Sequence, residues 1–183
     1  MKDKQVLFKK ALEEMKEVLD RNNIPFFLFC GTALGAYREK AFIQHDPDID
    51  LGVLGDDILK VKNIEDKRFR VDKMFPSEEN ATEIAFVSNR YKVKIDIFQA
   101  IETPKGLEHY SYLGLCDDKP NGRCTFLNDF EFEKIDFLGK QYTAPGKVFL
   151  NTHYGNDWNV VKKFSYFEGI SKGGTNEGYN SLQ

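Results

Sequence analysis

The stretch Gly31-Thr32-Ala33-Leu34-Gly35-Ala36-Tyr37-Arg38-Glu39-Lys40-Ala41-Phe42-Ile43-Gln44-His45-Asp46-Pro47-Asp48-Ile49-Asp50-Leu51-Gly52-Val53-Leu54 decides the fold. Its second half alternates. Ile49, Leu51 and Val53 fall on one side of an extended chain, and Asp48, Asp50 and Gly52 on the other. Pro47 is tolerated as a strand opens and drives Asp46 into an extended conformation. The first half reads as a Gly-Thr turn leading into a short helix over 33–38. Just upstream, Phe26-Phe27-Leu28-Phe29 is an apolar run short enough to be a buried strand. The order is therefore strand, Gly-Thr turn, helix, acidic strand.

The flanking chain fits a mixed sheet with helices around it, an α/β (α+β) arrangement. Phe8, Ala11, Leu12, Met15, Val18 and Leu19 recur at helical spacing, so residues 4–21 read as a helix with one buried stripe. Asn22-Asn23 and Pro25 end it. A short helix is predicted over 56–63, with weaker strands over 68–75 and 82–88. A strong strand is predicted over 91–99, with Lys92, Lys94, Asp96 and Phe98 on one face. Residues 130–143 read as a hairpin turning near Gly139-Lys140, and Pro145 as the start of a helix to about Thr152. The domain is predicted to occupy 1–164, and the Gly-, Ser- and Asn-rich segment 165–183 to be a mobile tail.

Composition narrows the function. Of 183 residues, 41% are apolar and 30% charged, enough apolar side chains for one core. The net charge of −3, with acids and bases intermixed, argues against a general grip on nucleic acid. No apolar run reaches the roughly 18 residues of a membrane span. No apolar leader follows Met1, so the sequence points to the cytoplasm. Cys30, Cys116 and Cys124 include no Cys-x-x-Cys pair. They read as ordinary thiols, although His109 lies near the last two and brings zinc to mind.

The chemistry sits on two strands. Asp48 and Asp50 are two apart, about 7 Å at the backbone and on one face. Asp96 completes a triad if 91–99 pairs beside 48–54. Carboxylates that close repel one another, and a hard divalent ion, Mg²⁺ or Mn²⁺, is the simplest counter-charge. A helix N-terminus after Gly31-Thr32 presents N–H donors to a phosphate. Lys92 and Lys94 share the face of Asp96, and Arg38 lies close in sequence, so all three are candidate phosphate ligands. Asp46 reads either as an outer partner of the acids or as a cap at the strand entry. His45 reads as a site-lining group or, preferably, a polar flank. Trp158 reads as a core or lid aromatic. Together the parts suit phosphoryl or nucleotidyl transfer, which rests on positioning and charge neutralisation. A nucleotide- or metal-binding module without turnover is the non-enzymatic reading. A calcium EF-hand is excluded, because its glycine-punctuated loop is missing.

Residues 31–50 resemble the LicD/fukutin-type family of the nucleotidyltransferase-fold superfamily. That family shows Gly-Thr-x-Leu-Gly-x-x-Arg and then Gly-Phe-Ile-Pro-Trp-Asp-Asp-Asp-Ile-Asp. Tyr154-Gly155-Asn156-Asp157-Trp158 is similar to its Tyr-Gly-x-x-Trp segment. Ala41, Gln44, His45 and Pro47 depart from the family's Gly, Pro, Trp and Asp, on the approach to the site, while the metal positions match. The resemblance implies Mg²⁺-dependent transfer of a phosphorylated alcohol, such as phosphocholine or a polyol phosphate like ribitol phosphate. The donor would be a CDP-alcohol and the acceptor a glycan or other hydroxyl compound. Asp96 is then the candidate to take the acceptor's proton. The wider superfamily implies the alternative, in which an NTP gives a nucleoside monophosphate to a small molecule, protein or RNA.

Overall fold

The computed structural model describes residues 3–104, 106–111, 122–127, 131–162 and 179–181. In chain order the elements are α1 (Lys4–Arg21), β1 (Phe27–Leu28), α2 (Cys30–Arg38), β2 (Asp48–Leu54), α3 (Asp57–Lys62), β3 (Phe69–Phe75) and β4 (Glu83–Ser88). There follow β5 (Lys94–Thr103), β6 (Gly106–Ser111), β7 (Gly122–Leu127), β8 (Phe132–Phe137), β9 (Lys140–Pro145), α4 (Lys147–Tyr154) and β10 (Tyr179–Ser181).

Among the described residues the main sheet runs β1-β2-β5-β6-β7-β10, with β4 also on β5 and β3 on β4. β2 and β5 pair in parallel, and the other pairs are antiparallel. β8 and β9 form a separate hairpin. The sheet is mixed and carries helices, as the alternating patterns imply.

The apolar sides of β2 and β5 build the core. Ile49, Leu51, Val53, Ile95 and Ile97 are all fully buried. The predicted α1 stripe joins them: Ala11, Leu12, Met15, Val18 and Leu19 are fully buried and Phe8 nearly so. Burying each large apolar side chain contributes about 1.5–3 kcal/mol, so this stripe fixes α1 to the sheet far more firmly than helix propensity does. Asp3 caps the helix by accepting from the Gln5 N–H.

Several boundaries differ from the sequence reading. β1 keeps only Phe27 and Leu28, because the helix starts at Cys30, so Gly31 and Thr32 lie in its first turn. β5 begins at Lys94 and not at residue 91. Tyr91 and Lys92 belong to the tight turn from β4, where Lys92 has φ +59 and its N–H donates to the Ser88 carbonyl at 2.9 Å. Lys92 is therefore exposed on a turn, off the strand that carries Asp96. The β8–β9 turn falls at Leu138-Gly139, both at positive φ. Pro145 closes β9 and does not open α4. Of segment 165–183, Tyr179–Ser181 pair with β7, and the remainder lies outside the described residues.

Gly52 sets the spacing between β1 and β2. It is the register partner of Phe27, and a Cβ there would come within 2.2 Å of the Phe27 ring. That ring is wedged against Phe29 at 5.3 Å and Phe132 at 4.7 Å, so it has little room to yield. Gly52→Ala is expected to lower stability by about 1–3 kcal/mol. Thermal unfolding followed by circular dichroism checks this, and Phe27→Leu in the same chain should recover part of the loss.

Candidate active site

Register brings the acids together. In the parallel β2–β5 pair, Asp50 lies beside Asp96 and Asp48 beside Lys94. Registered neighbours point to the same face, so both acidic positions of β2 meet the acid of β5, the pairing that the sequence reading required. The chain then places α2 against them. The Phe29 N–H donates to the Asp50 carbonyl at 3.1 Å, and α2 starts one residue later. The first turn of the helix therefore opens directly onto Asp50.

Two groups of that turn hold Asp50. The Gly31 N–H donates to its Oδ2 at 2.9 Å, and its own backbone N–H donates to Thr32 Oγ1 at 2.8 Å. Thr32 is 2% exposed. The polar groups of Gly31 and Thr32 thus face the Asp50 side chain and backbone. Gly31 leaves room for the carboxylates: a Cβ there would lie 2.2 Å from Asp46 Oδ2 and 3.0 Å from Asp50 Oδ2, so the Asp46 carboxylate would have to shift. Carboxylates at a helix N-terminus also meet its positive end, which partly offsets their mutual repulsion.

Asp46 is closer to the centre than a cap at the strand entry would be. One carboxylate oxygen from each of Asp46, Asp48 and Asp50 lies within 4.8 Å of the others. Asp96 adjoins them through Lys94, whose Nζ is 2.7 Å from Asp96 Oδ2 and 3.5 Å from Asp48 Oδ2. Asp96 is 4% exposed, and its Oδ1 has no hydrogen-bond partner. An all-oxygen donor set with one buried, unpartnered lone pair fits a hard divalent cation such as Mg²⁺ or Mn²⁺.

Glu83 is a further acid that the sequence reading missed. It lies on β4, two residues from Ala85, which is registered against Asp96, and so on the same face. It is 8% exposed. In isolation, an acid in a strand looks like a solvent-facing residue. Only the β4–β5 pairing shows that it points at the site.

The charges are strained. Burial, then Asp48, pushes the Asp46 carboxyl up to about 7. Burial pushes Asp96 up to about 6 against the pull of Lys94, and burial with Asp96 pushes Glu83 up to about 8. Asp50 is raised well above the carboxylate range by burial and by Asp48, Asp46 and Asp96. Burial works against the Lys94 charge, but Asp96 and Asp48 outweigh it and raise its pKa.

The remaining candidates sit further out. The Arg38 guanidinium contacts the Glu39 carboxylate at 2.7 Å and the Trp158 carbonyl at 3.4 Å. Trp158 donates from Nε1 to Asn151 Oδ1 at 2.9 Å and meets the Tyr37 ring edge-on at 6.4 Å, so it packs the end of α4 against α2. His45 is an exposed flank. His109 is buried and stacked on His153 at 5.9 Å; Cys116 lies outside the described residues.

Comparison with known proteins shows the family of the chain. Residues 23–147 match the LicD/FKTN/FKRP nucleotidyltransferase domain. The ribitol-5-phosphate transferase FKTN of Homo sapiens is 29% identical over 167 residues, covering 86% of this chain and 35% of that protein. FKTN of Macaca fascicularis is 30% identical over 165 residues, covering 85% of this chain and 35% of that protein. The chain thus spans about a third of the length of these relatives. The solution structure of the antibiotic-resistance factor ANT(2'')-Ia superposes with a TM-score of 0.49 at 13% identity, over 79% of this chain and 69% of that one. With its mixed sheet and its acid-bearing parallel strand pair beside a Gly-Thr helix start, the chain is a nucleotidyltransferase-fold domain. The chain belongs to the LicD/FKTN/FKRP family. No helix among the described residues is long and apolar enough to cross a membrane.

Because the folded-state pKa values of these acids are raised, the stability they contribute is full below the unfolded carboxylate value. It is lost as pH rises through about 6 to 8. The metal-free protein should therefore melt lower at pH 8 than at pH 5. Asp50→Asn, which removes one charge, is expected to raise the metal-free midpoint by about 3 °C or more at pH 8, with a smaller gain at pH 5. Differential scanning calorimetry in chelator at both pH values checks this.

Proposed function

We propose that the chain is a metal-dependent transferase that moves a phosphorylated alcohol, such as phosphocholine or ribitol phosphate, from a CDP-linked donor to a hydroxyl of a glycan or related acceptor. The observation that carries the reading is the convergence of Asp46, Asp48 and Asp50 at the start of α2, with Asp96 beside them. Family membership and the ribitol-5-phosphate transferase relatives support the choice of donor.

The residues divide the work. Asp48, Asp50 and Asp96, with Asp46, would hold Mg²⁺ or Mn²⁺. Bound there, the ion would neutralise the charge of the donor's diphosphate. Gly31 and Thr32 fix Asp50 so that its oxygens need not reorganise as charge develops. Lys94 supplies a second positive group beside the same acids and is the lysine suited to a phosphate oxygen. Asp96, buried on β5 beside Lys94, is the carboxylate suited to accept the acceptor hydroxyl's proton. Arg38, at the far end of α2, donates to the Trp158 carbonyl and pairs with Glu39, so a phosphate role for it would require those contacts to open.

A thermal-shift titration with CDP-choline, CDP-ribitol, CDP-glycerol, CTP, ATP, GTP and UTP, with and without Mg²⁺, tests the proposal. A ligand that binds the native state raises its apparent stability by mass action. A Mg²⁺-dependent rise with a CDP-alcohol, lost in Asp48→Asn, is the expected result. A rise with an NTP alone would move the reaction to nucleotidyl transfer.

A further inference from the structure

The first turn of α1 reaches the acid cluster from far away in sequence, and nothing in the family match, which begins at residue 23, covers it. The Lys4 ammonium donates to the Ile43 carbonyl at 2.7 Å, to the Gln44 carbonyl at 3.0 Å and to the Asp46 carbonyl. Gln5 grips the same loop from its other end. Its Nε2 donates to the Phe42 carbonyl at 2.7 Å, and its Oε1 accepts the Phe42 N–H at 3.0 Å. One turn further on, the Phe8 ring meets Phe42 edge-on at 5.2 Å. The opposite side of the loop is closed by Gly35, where a Cβ would sit 2.6 Å from the Ala41 carbonyl.

We propose that Lys4 and Gln5 are positioning residues for the metal site, acting through the main chain of residues 42–46 to set where the Asp46 carboxylate stands. This rests on the proposed metal-binding role of the acids. Asp46 precedes β2, so no strand pairing fixes it, whereas Asp48, Asp50 and Asp96 are held by the sheet. Its place is set by the loop, and the loop is set by five hydrogen bonds from two side chains of α1. An ammonium has three donors, and Lys4 uses them on three carbonyls. The Ile43 and Asp46 oxygens would otherwise lie half-buried beside the acid cluster. The ammonium also faces the carboxylates of Asp46 and Asp48. Because Lys4 and Gln5 read main-chain atoms only, the clamp is indifferent to side chains at 44 and 45. Those are two of the positions where this sequence departs from its family's pattern.

Mn²⁺ binding to the whole chain, followed by electron paramagnetic resonance of the free ion, tests the inference on wild type, Lys4→Met, Lys4→Arg, Gln5→Met and Asp48→Asn, with the melting midpoint of each recorded. Second-sphere partners of metal ligands typically govern affinity by about 10–100-fold. Lys4→Met and Gln5→Met are each expected to weaken Mn²⁺ binding about tenfold while remaining folded at the assay temperature, and Lys4→Arg to restore part of it. Amide hydrogen exchange of the metal-free protein should rise at Phe42 in Gln5→Met and at Asp46 in Lys4→Met. If wild type binds Mn²⁺, Asp48→Asn does not, and both clamp variants bind like wild type, the clamp is merely structural and the inference fails alone. If wild type itself shows no Mn²⁺ binding, the metal reading fails and takes the clamp with it.

Discussion

Asp50 is held from two directions by one turn of helix. The Gly31 N–H meets its carboxylate and the Thr32 hydroxyl meets its backbone N–H. Much of the rest of the fold follows from bringing that turn there. β1 must be short so that α2 can begin beside Asp50, and β2 must have glycine at 52 so that β1 can lie close. Glycine at 31 lets two carboxylate oxygens stand where a Cβ would otherwise displace them. The apolar sides of β2 and β5 supply the free energy that holds this constellation of like charges in place.

That arrangement works against stability at neutral pH. Buried carboxylates in close contact resist ionisation, and the helix end and Lys94 offset only part of the repulsion. A protein keeps such a cluster where the charge has a partner in function, because replacing the acids with neutral side chains would relieve it. This is the physical reason for reading the acids as a cation site and not as a solvated sheet face.

The acids of the two parallel strands were legible in the sequence because their signal is local. Asp48 and Asp50 stand out against Ile49, Leu51 and Val53, and Asp96 against Ile95 and Ile97. The α1 stripe was legible for the same reason. What lay hidden depends on contacts distant in sequence. Glu83 joins the site only through β4–β5 pairing. Lys4 meets the Asp46 carbonyl across 42 positions, and neither residue type betrays that contact. Lys92 was misplaced because period-two alternation runs unbroken through a turn. Pro145 is permitted at a strand end as readily as at a helix start, and here it ends β9. Residues 100–129 carry no clean period, so β6 and β7 went unassigned.

The chain spans about a third of the length of its FKTN relatives, and within it Asp46, Asp48 and Asp50 cluster at the start of α2. The role of these acids is decided by where a cation binds. Anomalous scattering from crystals soaked in Mn²⁺ locates it directly. A cation site there gives one strong peak ligated by carboxylate oxygens of Asp48 and Asp50, with Asp46 or Asp96 beside it at the start of α2. A peak elsewhere, or none at Mn²⁺ concentrations that saturate ordinary carboxylate sites, would contradict it.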